Sequence, residues 1–105
     1  SALVKLNFIA EKDLVAAISK QYGLPVVSLD NEEIDPEALA LVPQDKAQKY
    51  FLLPLRFNGP ALVIAMVDPS NIIALNEIKF ITGRDIQVVL TAESELKVQL
   101  EKLYE

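Results

Sequence analysis

The sequence predicts an α/β (α+β) fold, with a small three-stranded mixed sheet in β-β-α-β-α order and an N-terminal helical subdomain. Two apolar runs, at 51–57 and 61–67, flank a turn dipeptide and so predict a β-hairpin. A third apolar run, at 86–90, follows a segment of helical periodicity, which predicts a parallel return through a right-handed crossover. Most of the chain before the hairpin shows helical rather than strand periodicity.

Composition excludes several classes of function. The 105 residues suit one domain, and 51% hydrophobic residues support a packed core. The absence of His and Cys removes the commonest general base and most zinc sites. The three glycines, at 23, 59 and 83, are too far apart for a phosphate-binding loop. A net charge of −5 disfavours binding to nucleic acid, because the phosphates would repel the protein surface. We therefore expect a non-enzymatic chain without cofactor or metal.

No targeting or membrane signal is visible. No apolar stretch approaches the roughly 20 residues that a spanning helix needs, so no direct membrane insertion is expected. The first residues lack the charged and apolar regions of a signal peptide. The abrupt start suggests that the native chain continues upstream.

The N-terminal part is predicted to be helical in two pieces. A helix is predicted over 11–22 and ends at Gly23. The segment 3–9 is expected to be the end of an earlier helix, with its turn at Asn7. Residues 26–29 fit only a short extended piece. The apolar face of the 11–22 helix consists of Leu14, Val15, Ile18 and Tyr22.

An acidic segment separates this part from the hairpin. Asp35, followed by a proline, predicts the N-cap of a short helix over 36–41, and a second short helix is predicted over 44–49. Four acids lie within 30–35 and could suggest a metal site. Without His or a glycine-containing calcium loop, a solvated turn is the favoured interpretation.

The hairpin and the helix after it have clear boundary signals. Asn58 and Gly59 are the predicted turn dipeptide. Pro54 places the first strand at a sheet edge or at a bulge, whereas the nearly continuous apolar run of the second predicts a central strand. Asp68 is the expected N-cap and Pro69 the first residue of the next helix.

This helix is predicted to run to Thr82 and end at Gly83. Ile73 and Phe80, seven residues apart, form a second apolar stripe beside the core face. Such a stripe usually packs within its own chain, but it can also mark a partner surface. The expected core face consists of Ala74, Leu75, Ile78 and Ile81.

After the third strand, Thr91 is the predicted cap of a last helix over 92–104. Its core side should carry Leu96, Leu100 and Leu103, with Tyr104 beside them.

Several residues could individually take part in catalysis or ligand binding, but the sequence does not group them into a site. Asp68 follows a central strand, where α/β proteins place functional carboxylates, but a capping role already explains it. Glu93 and Glu95 face different sides of a helix and cannot form an acid–base pair. Arg56 and Arg84 could each bind an anion, but each is an isolated cation that is expected to be solvated. Tyr50, Phe51 and Phe57 could stack on bases, but without surrounding positive charge such a platform would be weak.

Five short pieces occur in order between residues 30 and 104: Ile34-Asp35-Pro36, Pro54-Leu55, Ala65-Met66, Asp68-Pro69 and Thr82-Gly83. Together they resemble the N-terminal domain of type II secretion and type IV pilus assembly ATPases (the GspE/PilB/MshE family). Pro54, Asp68, Pro69 and Gly83 are the structural signature in this resemblance. It divides the chain into an N-terminal helical piece, 1–29, and a small α/β domain, 30–105.

The resemblance implies a protein-interaction and regulatory domain, because no Walker motif is present in this sequence. It would dock a hexameric motor to cytoplasmic domains of an inner-membrane platform. Ile73 and Phe80 are the candidate interaction surface. The implied location is cytoplasmic, peripheral to the inner membrane through these partners. A small standalone enzyme or metal binder is the least favoured interpretation.

The alternative is a cyclic di-GMP-sensing domain whose binding motif is incomplete in this chain. The segment "LVKLNFIAEKDLVAAISKQ" resembles the later part of a nucleotide-binding motif found in some family members. The glycine expected at position 7 is Asn7, and the Arg-Leu-Gly opening of the motif would lie upstream. The resemblance implies Leu3, Leu14 and Ile18 as apolar lining, and possible cyclic di-GMP binding by the full-length protein.

Overall fold

The computed structural model describes the backbone of residues 2–104 and the side chains of residues 11–104. Within residues 2–104, five α-helices and three strands are connected by short segments, with one turn of 3₁₀ helix at Leu29–Asn31. In chain order the elements are α1 (Ala2–Tyr22), α2 (Pro36–Leu41), α3 (Gln44–Tyr50), β1 (Leu52–Asn58), β2 (Ala61–Met66), α4 (Ile72–Thr82), β3 (Asp85–Leu90) and α5 (Glu93–Leu103).

The sheet has the predicted mixed topology. Its order is β1-β2-β3, with β1 antiparallel and β3 parallel to β2. β1 is an edge strand, and its register shifts between Pro54 and Arg56, because a residue without an N–H cannot continue a regular ladder. The central strand β2 is buried on both faces from Leu62 to Met66. The predicted fold class is confirmed.

The hairpin turn lies one residue later than predicted. Asn58 pairs with Ala61, so the two loop residues are Gly59 and Pro60. Gly59 has φ +60°, which suits the first position of a type II′ turn. The proline ring fixes a negative φ at the second position, and this excludes a turn that needs two positive values.

The start of α4 also differs from the prediction. The N-cap is Asn71, whose side-chain oxygen accepts the N–H of Ala74 at 3.1 Å. Asp68 instead accepts the N–H and hydroxyl of Ser70, at 3.0 and 2.5 Å, and closes a turn before the helix. Pro69 lies in that turn. The predicted end of α4 is confirmed, since Gly83 follows it in the left-handed region with φ 67°.

The two predicted N-terminal helices form one element. α1 is continuous from Ala2 to Tyr22 and passes through Asn7 without a turn. The sequence between these ends contains no Gly or Pro, and a single Asn inside a helix costs only a fraction of a kcal/mol, below about 0.7. The predicted apolar face is largely open, because Leu14 is 57% exposed and only Val15 is buried.

The start of α5 is capped from a distant part of the chain. Ala92 occupies the N-cap position and offers no side-chain acceptor. Glu11 of α1 supplies one: its Oε1 accepts the N–H and the hydroxyl of Ser94, at 2.7 and 2.9 Å. Thr91, the predicted cap, is fully buried, and its N–H donates to Met66 at 3.1 Å and so extends the β2–β3 ladder.

Residues 25–29 attach to the sheet and its core. Val27 donates to the carbonyl of Leu90, and Leu90 donates to the carbonyl of Pro25, both at 2.8 Å. Leu29 is 2% exposed and belongs to the main core. The predicted boundary between residues 29 and 30 therefore passes beside a core residue. The largest side chains of that core are Leu52, Leu53, Leu55, Leu62, Ile64, Met66, Ile78 and Leu96.

Candidate functional site

The most exposed apolar surface of the described chain lies on α4. Ile73 is 75% exposed and Phe80 is 89% exposed, whereas Ala74 and Ile78 on the opposite side are fully buried. A rotation of about 100° per residue places Ile73 and Phe80 on the same outward side of the helix. Ile72, 64% exposed, borders them. We call Ile72, Ile73 and Phe80 the α4 surface.

The α4 surface sits on a helix that is fixed at several points. Glu77 on its flank accepts a hydrogen bond from the hydroxyl of Tyr50 and forms an ion pair with Lys46, whose Nζ lies 2.6 Å from Oε1. The hydrogen bond from Lys46, followed by that from Tyr50, lowers the pKa of Glu77. The same contact with Glu77 raises the pKa of Lys46 and that of Tyr50. These contacts join α4 to α3.

A second feature is an open groove of about 600 Å³ between α1, the 26–30 segment and the start of α5. Glu95 lies on its α5 side and accepts the N–H of Leu29 and the hydroxyl of Ser28, both at 3.1 Å. The lining combines apolar side chains with one cation and two acids: Lys12, Val15, Ala16, Val26, Val27, Ser28, Asp30, Ala92 and Glu95.

The residues that the family resemblance implied for a nucleotide do not line this groove. The side chain of Leu3 lies outside the described residues. Leu14 points to solvent, and Ile18 packs partly buried against the small cluster around Val15. α1 contributes Lys12, Val15 and Ala16 to the groove instead. Sequence reasoning missed these because the groove depends on where α1 meets α5.

The remaining candidates are separated. Arg56 pairs with Glu32 at 2.7 Å, and the Arg84 guanidinium lies 4.4 Å from the ring centre of Phe57. Among the described side chains, no three carboxylate, His or Cys groups lie close enough together to hold a metal ion. No helix within residues 2–104 is long and apolar enough to cross a membrane.

Comparison with known proteins identifies the family of this chain. The model of the MshEN domain matches residues 22–105. The type IV pilus assembly ATPase PilB of Myxococcus xanthus is 39% identical over 104 residues, which are 99% of this chain and 18% of PilB. The chain thus spans less than a fifth of that relative.

Two solved structures share the fold. The structure of MshE with cdg has a TM-score of 0.81 and 27% identity, covering 95% of this chain and 73% of that one. The N-terminal domain of XpsE has a TM-score of 0.77, covers 88% of this chain and 65% of the other, and at 19% identity shows likeness of fold alone. The chain therefore belongs to the MshEN domain family and is a relative of the type IV pilus assembly ATPase PilB.

Proposed function

We propose that this domain is a non-catalytic docking and regulatory module of a type II secretion or type IV pilus assembly ATPase. It binds cytoplasmic domains of an inner-membrane platform and holds the motor there, so its location is cytoplasmic and peripheral to the membrane. The observation that carries this proposal is the α4 surface, because it presents large apolar side chains on an ordered helix. The relationship to PilB supplies the class of parent protein.

The α4 surface has the properties of a preformed binding face. A single exposed apolar residue is ordinary, but three on one side of one helix form a patch that water solvates poorly. An aromatic side chain such as Phe80 is the kind of group that dominates binding energy when a partner buries it. The cap at Asn71 and the contacts of Glu77 hold α4 in place, which reduces the entropy lost on binding.

ATP hydrolysis is assigned to other parts of the parent protein. The chain has no His and no Cys, and its three glycines cannot form a phosphate-binding loop. The domain would therefore affect the motor by position and contact rather than by chemistry.

Docking can be tested with purified cytoplasmic domains of the platform proteins encoded with this chain. We expect Phe80→Ser and Ile73→Ser to weaken binding about tenfold or more, because they remove buried apolar contacts. Both positions are exposed, so the circular dichroism spectrum and melting midpoint should stay unchanged. Val98→Ser is the matched control, since Val98 is 58% exposed on α5. Equal binding by all three variants would refute docking through α4.

A second candidate function is cyclic di-GMP sensing, with cdg in the MshE structure read as this nucleotide. The supporting observation is that 95% of this chain aligns with MshE and that Leu14 presents an uncovered apolar side chain on α1. Leu3, Leu14 and Ile18 would form the apolar lining.

The nucleotide hypothesis is tested by calorimetric titration of cyclic di-GMP into this chain and into a form extended upstream by about one helical hairpin. We expect binding to the extended form only, with Leu14→Asn weakening it. Absence of heat with both forms would exclude sensing and leave docking as the function.

A further inference from the structure

Within the described residues, four cations border the α4 surface, and two of them have carboxylate partners. Nζ of Lys46 lies 2.6 Å from Glu77 on one flank of α4. Nζ of Lys79 lies 3.8 Å from Asp85 on the other flank, where a rotation of about 100° per residue places it beside Ile72. These two pairs compensate the charges of both acids inside the chain, so neither acid has to be neutralised by a partner.

The other two cations, Lys49 and Arg84, contact aromatic rings instead of carboxylates. Nζ of Lys49 lies 5.2 Å from the ring centre of Tyr50, and the guanidinium of Arg84 lies 4.4 Å from that of Phe57. Asp45 precedes Lys49 by one helical turn, yet none of the ion pairs among the described residues includes Lys49 or Arg84. Both cations therefore keep a charge that no carboxylate of the described chain neutralises.

The charge around α4 is opposite in sign to that of the chain as a whole. Acids outnumber bases by 15 to 10 over the full sequence. The segments 44–50 and 71–85, which contain α3, α4 and the first residue of β3, hold four bases and three acids, whereas the rest of the chain holds six bases and twelve acids. The α4 surface is thus bordered by the more cationic part of an acidic chain, which favours an acidic partner there.

The side chain of Arg84 is held in place by contacts that do not neutralise it. Arg84 follows Phe80 by four residues, at the C-terminal end of α4, and it is half-buried. Its guanidinium lies over the ring of Phe57, and its Nη1 lies 3.5 Å from the carbonyl oxygen of Pro60. A guanidinium stacked on a ring still presents N–H donors at its edge, and a carboxylate matches that planar set of donors.

We propose that the partner of the α4 surface presents an apolar face edged by carboxylates, one of which pairs with Arg84 and another with Lys49. The apolar face covers Phe80 and its neighbours on α4. This inference rests on the proposed docking through the α4 surface and adds the chemistry of the partner. The two ion pairs neutralise cations that the chain leaves uncompensated, and they fix the orientation in which the partner binds.

Carbodiimide coupling detects such a carboxylate directly, because it joins a lysine amine to a carboxylate in contact with it. The complex of this chain with the platform domain that binds it is coupled, and the linked peptides are identified by mass spectrometry. We expect acids of the partner on Lys49, and on position 84 in Arg84→Lys. Coupling of Lys46 to Glu77 is the internal positive control. Lys97, exposed on α5, is the negative control, and partner acids linked to it as often as to Lys49 would overturn the proposal.

Association rates separate this inference from docking itself. We expect Lys49→Gln and Arg84→Gln each to slow association several-fold, and the loss to shrink as NaCl rises from about 50 mM to about 500 mM. Lys97→Gln should have no effect, and melting midpoints verify that all variants fold.

The outcome of Phe80→Ser decides which proposal fails. If Phe80→Ser weakens binding but Lys49→Gln and Arg84→Gln do not, the acidic partner is wrong and docking stands. If Phe80→Ser has no effect, docking through α4 is wrong, and this inference fails with it. Binding of the unaltered chain to phosphatidylglycerol vesicles that is lost in Arg84→Gln would assign the cations to a membrane surface instead.

Discussion

Asn71 holds the first turn of α4 through the bond from the N–H of Ala74 to its side-chain oxygen. We expect Asn71→Ala to lower the free energy of unfolding by about 1 kcal/mol, the usual cost of a lost N-cap. Urea denaturation followed by circular dichroism measures it. Asn76→Ala, at an exposed position in the same helix, is the control and should leave stability equal or slightly higher.

The role of Asp68 is separated from that of Asn71 by the same measurement. Asp68→Ala removes a local turn around Ser70 and no helix cap, so its effect should be smaller than that of Asn71→Ala. The reverse order of the two effects would mean that α4 begins at Pro69.

Thr91 is a fully buried residue whose hydroxyl has no hydrogen-bond partner among the described residues. Thr91→Val replaces an unsatisfied polar group by a methyl group of similar size. We expect it to raise the free energy of unfolding by about 1 kcal/mol. Differential scanning calorimetry should show the higher melting midpoint.

Thr82→Val is the matched control for Thr91→Val. The Thr82 hydroxyl donates to the carbonyl of Ile78 at 2.8 Å, so this variant loses a bond and should be destabilised. Destabilisation by Thr91→Val as well would show that the Thr91 hydroxyl has a partner, such as a bound water.

At the scale of elements, the contact between α3 and α4 depends on the charge of Glu77. Its pKa is lowered from an ordinary value of 4.5 by the hydrogen bonds from Lys46 and Tyr50. A depressed pKa means that the stabilisation is complete above about 4.5 and is lost as the pH falls through the folded-state value. We expect Glu77→Gln to destabilise the protein at pH 7 and to have a smaller effect at pH 3, below the unfolded-state pKa.

Melting midpoints at the two pH values test this prediction. Glu33→Gln is the control, since Glu33 is exposed, and its effect should be small at both values. A destabilisation by Glu77→Gln that is the same at pH 3 and pH 7 would show that packing, rather than charge, joins the two helices.

Elements with local signals were predictable from sequence. Asp35 caps α2 by accepting the N–H of Glu37 at 2.9 Å, Gly83 ends α4, and the uninterrupted apolar run of β2 marks the central strand. These features depend on neighbours within a few residues. Pro54 likewise predicted that β1 is an edge strand or carries a bulge.

The start of α5 and the position of α1 were not predictable in this way. Glu11 and Ser94, which form the cap, are 83 positions apart, and no local pattern connects them. The candidate interface was partly predictable, because the spacing of Ile73 and Phe80 predicted that they form an apolar stripe on one side of α4. Whether another part of the chain covers that stripe depends on tertiary packing, and within the described residues it stays exposed.

At the scale of the whole molecule, the position of the domain boundary can be measured. Leu29 is buried in the main core, and Val27 bonds to Leu90. We expect residues 22–105, the part that matches the family model, to fold without α1. Residues 30–105 should be less stable than 22–105 by about 2 kcal/mol or more, because the core then lacks Leu29.

Urea titration of the two fragments decides between the boundaries. Leu29→Ala in the longer fragment is the control and should reproduce much of the loss. Equal stability of 22–105 and 30–105 would support a division between residues 29 and 30. It would show that residues 22–29 do not stabilise the fold.

The Glu11 carboxylate of α1 lies at the start of α5, so the docking of α1 and the first turn of α5 stabilise each other. Any ligand that holds α1 in its docked position also strengthens the first turn of α5, because Glu11 accepts the N–H and hydroxyl of Ser94. A partner that orders the start of α5 stabilises the docked position of α1 by the same coupling free energy. A ligand that binds α1 is thus linked to the first turn of α5 through the Glu11 carboxylate, beside the packing of Val15 against Leu90 and Ala92.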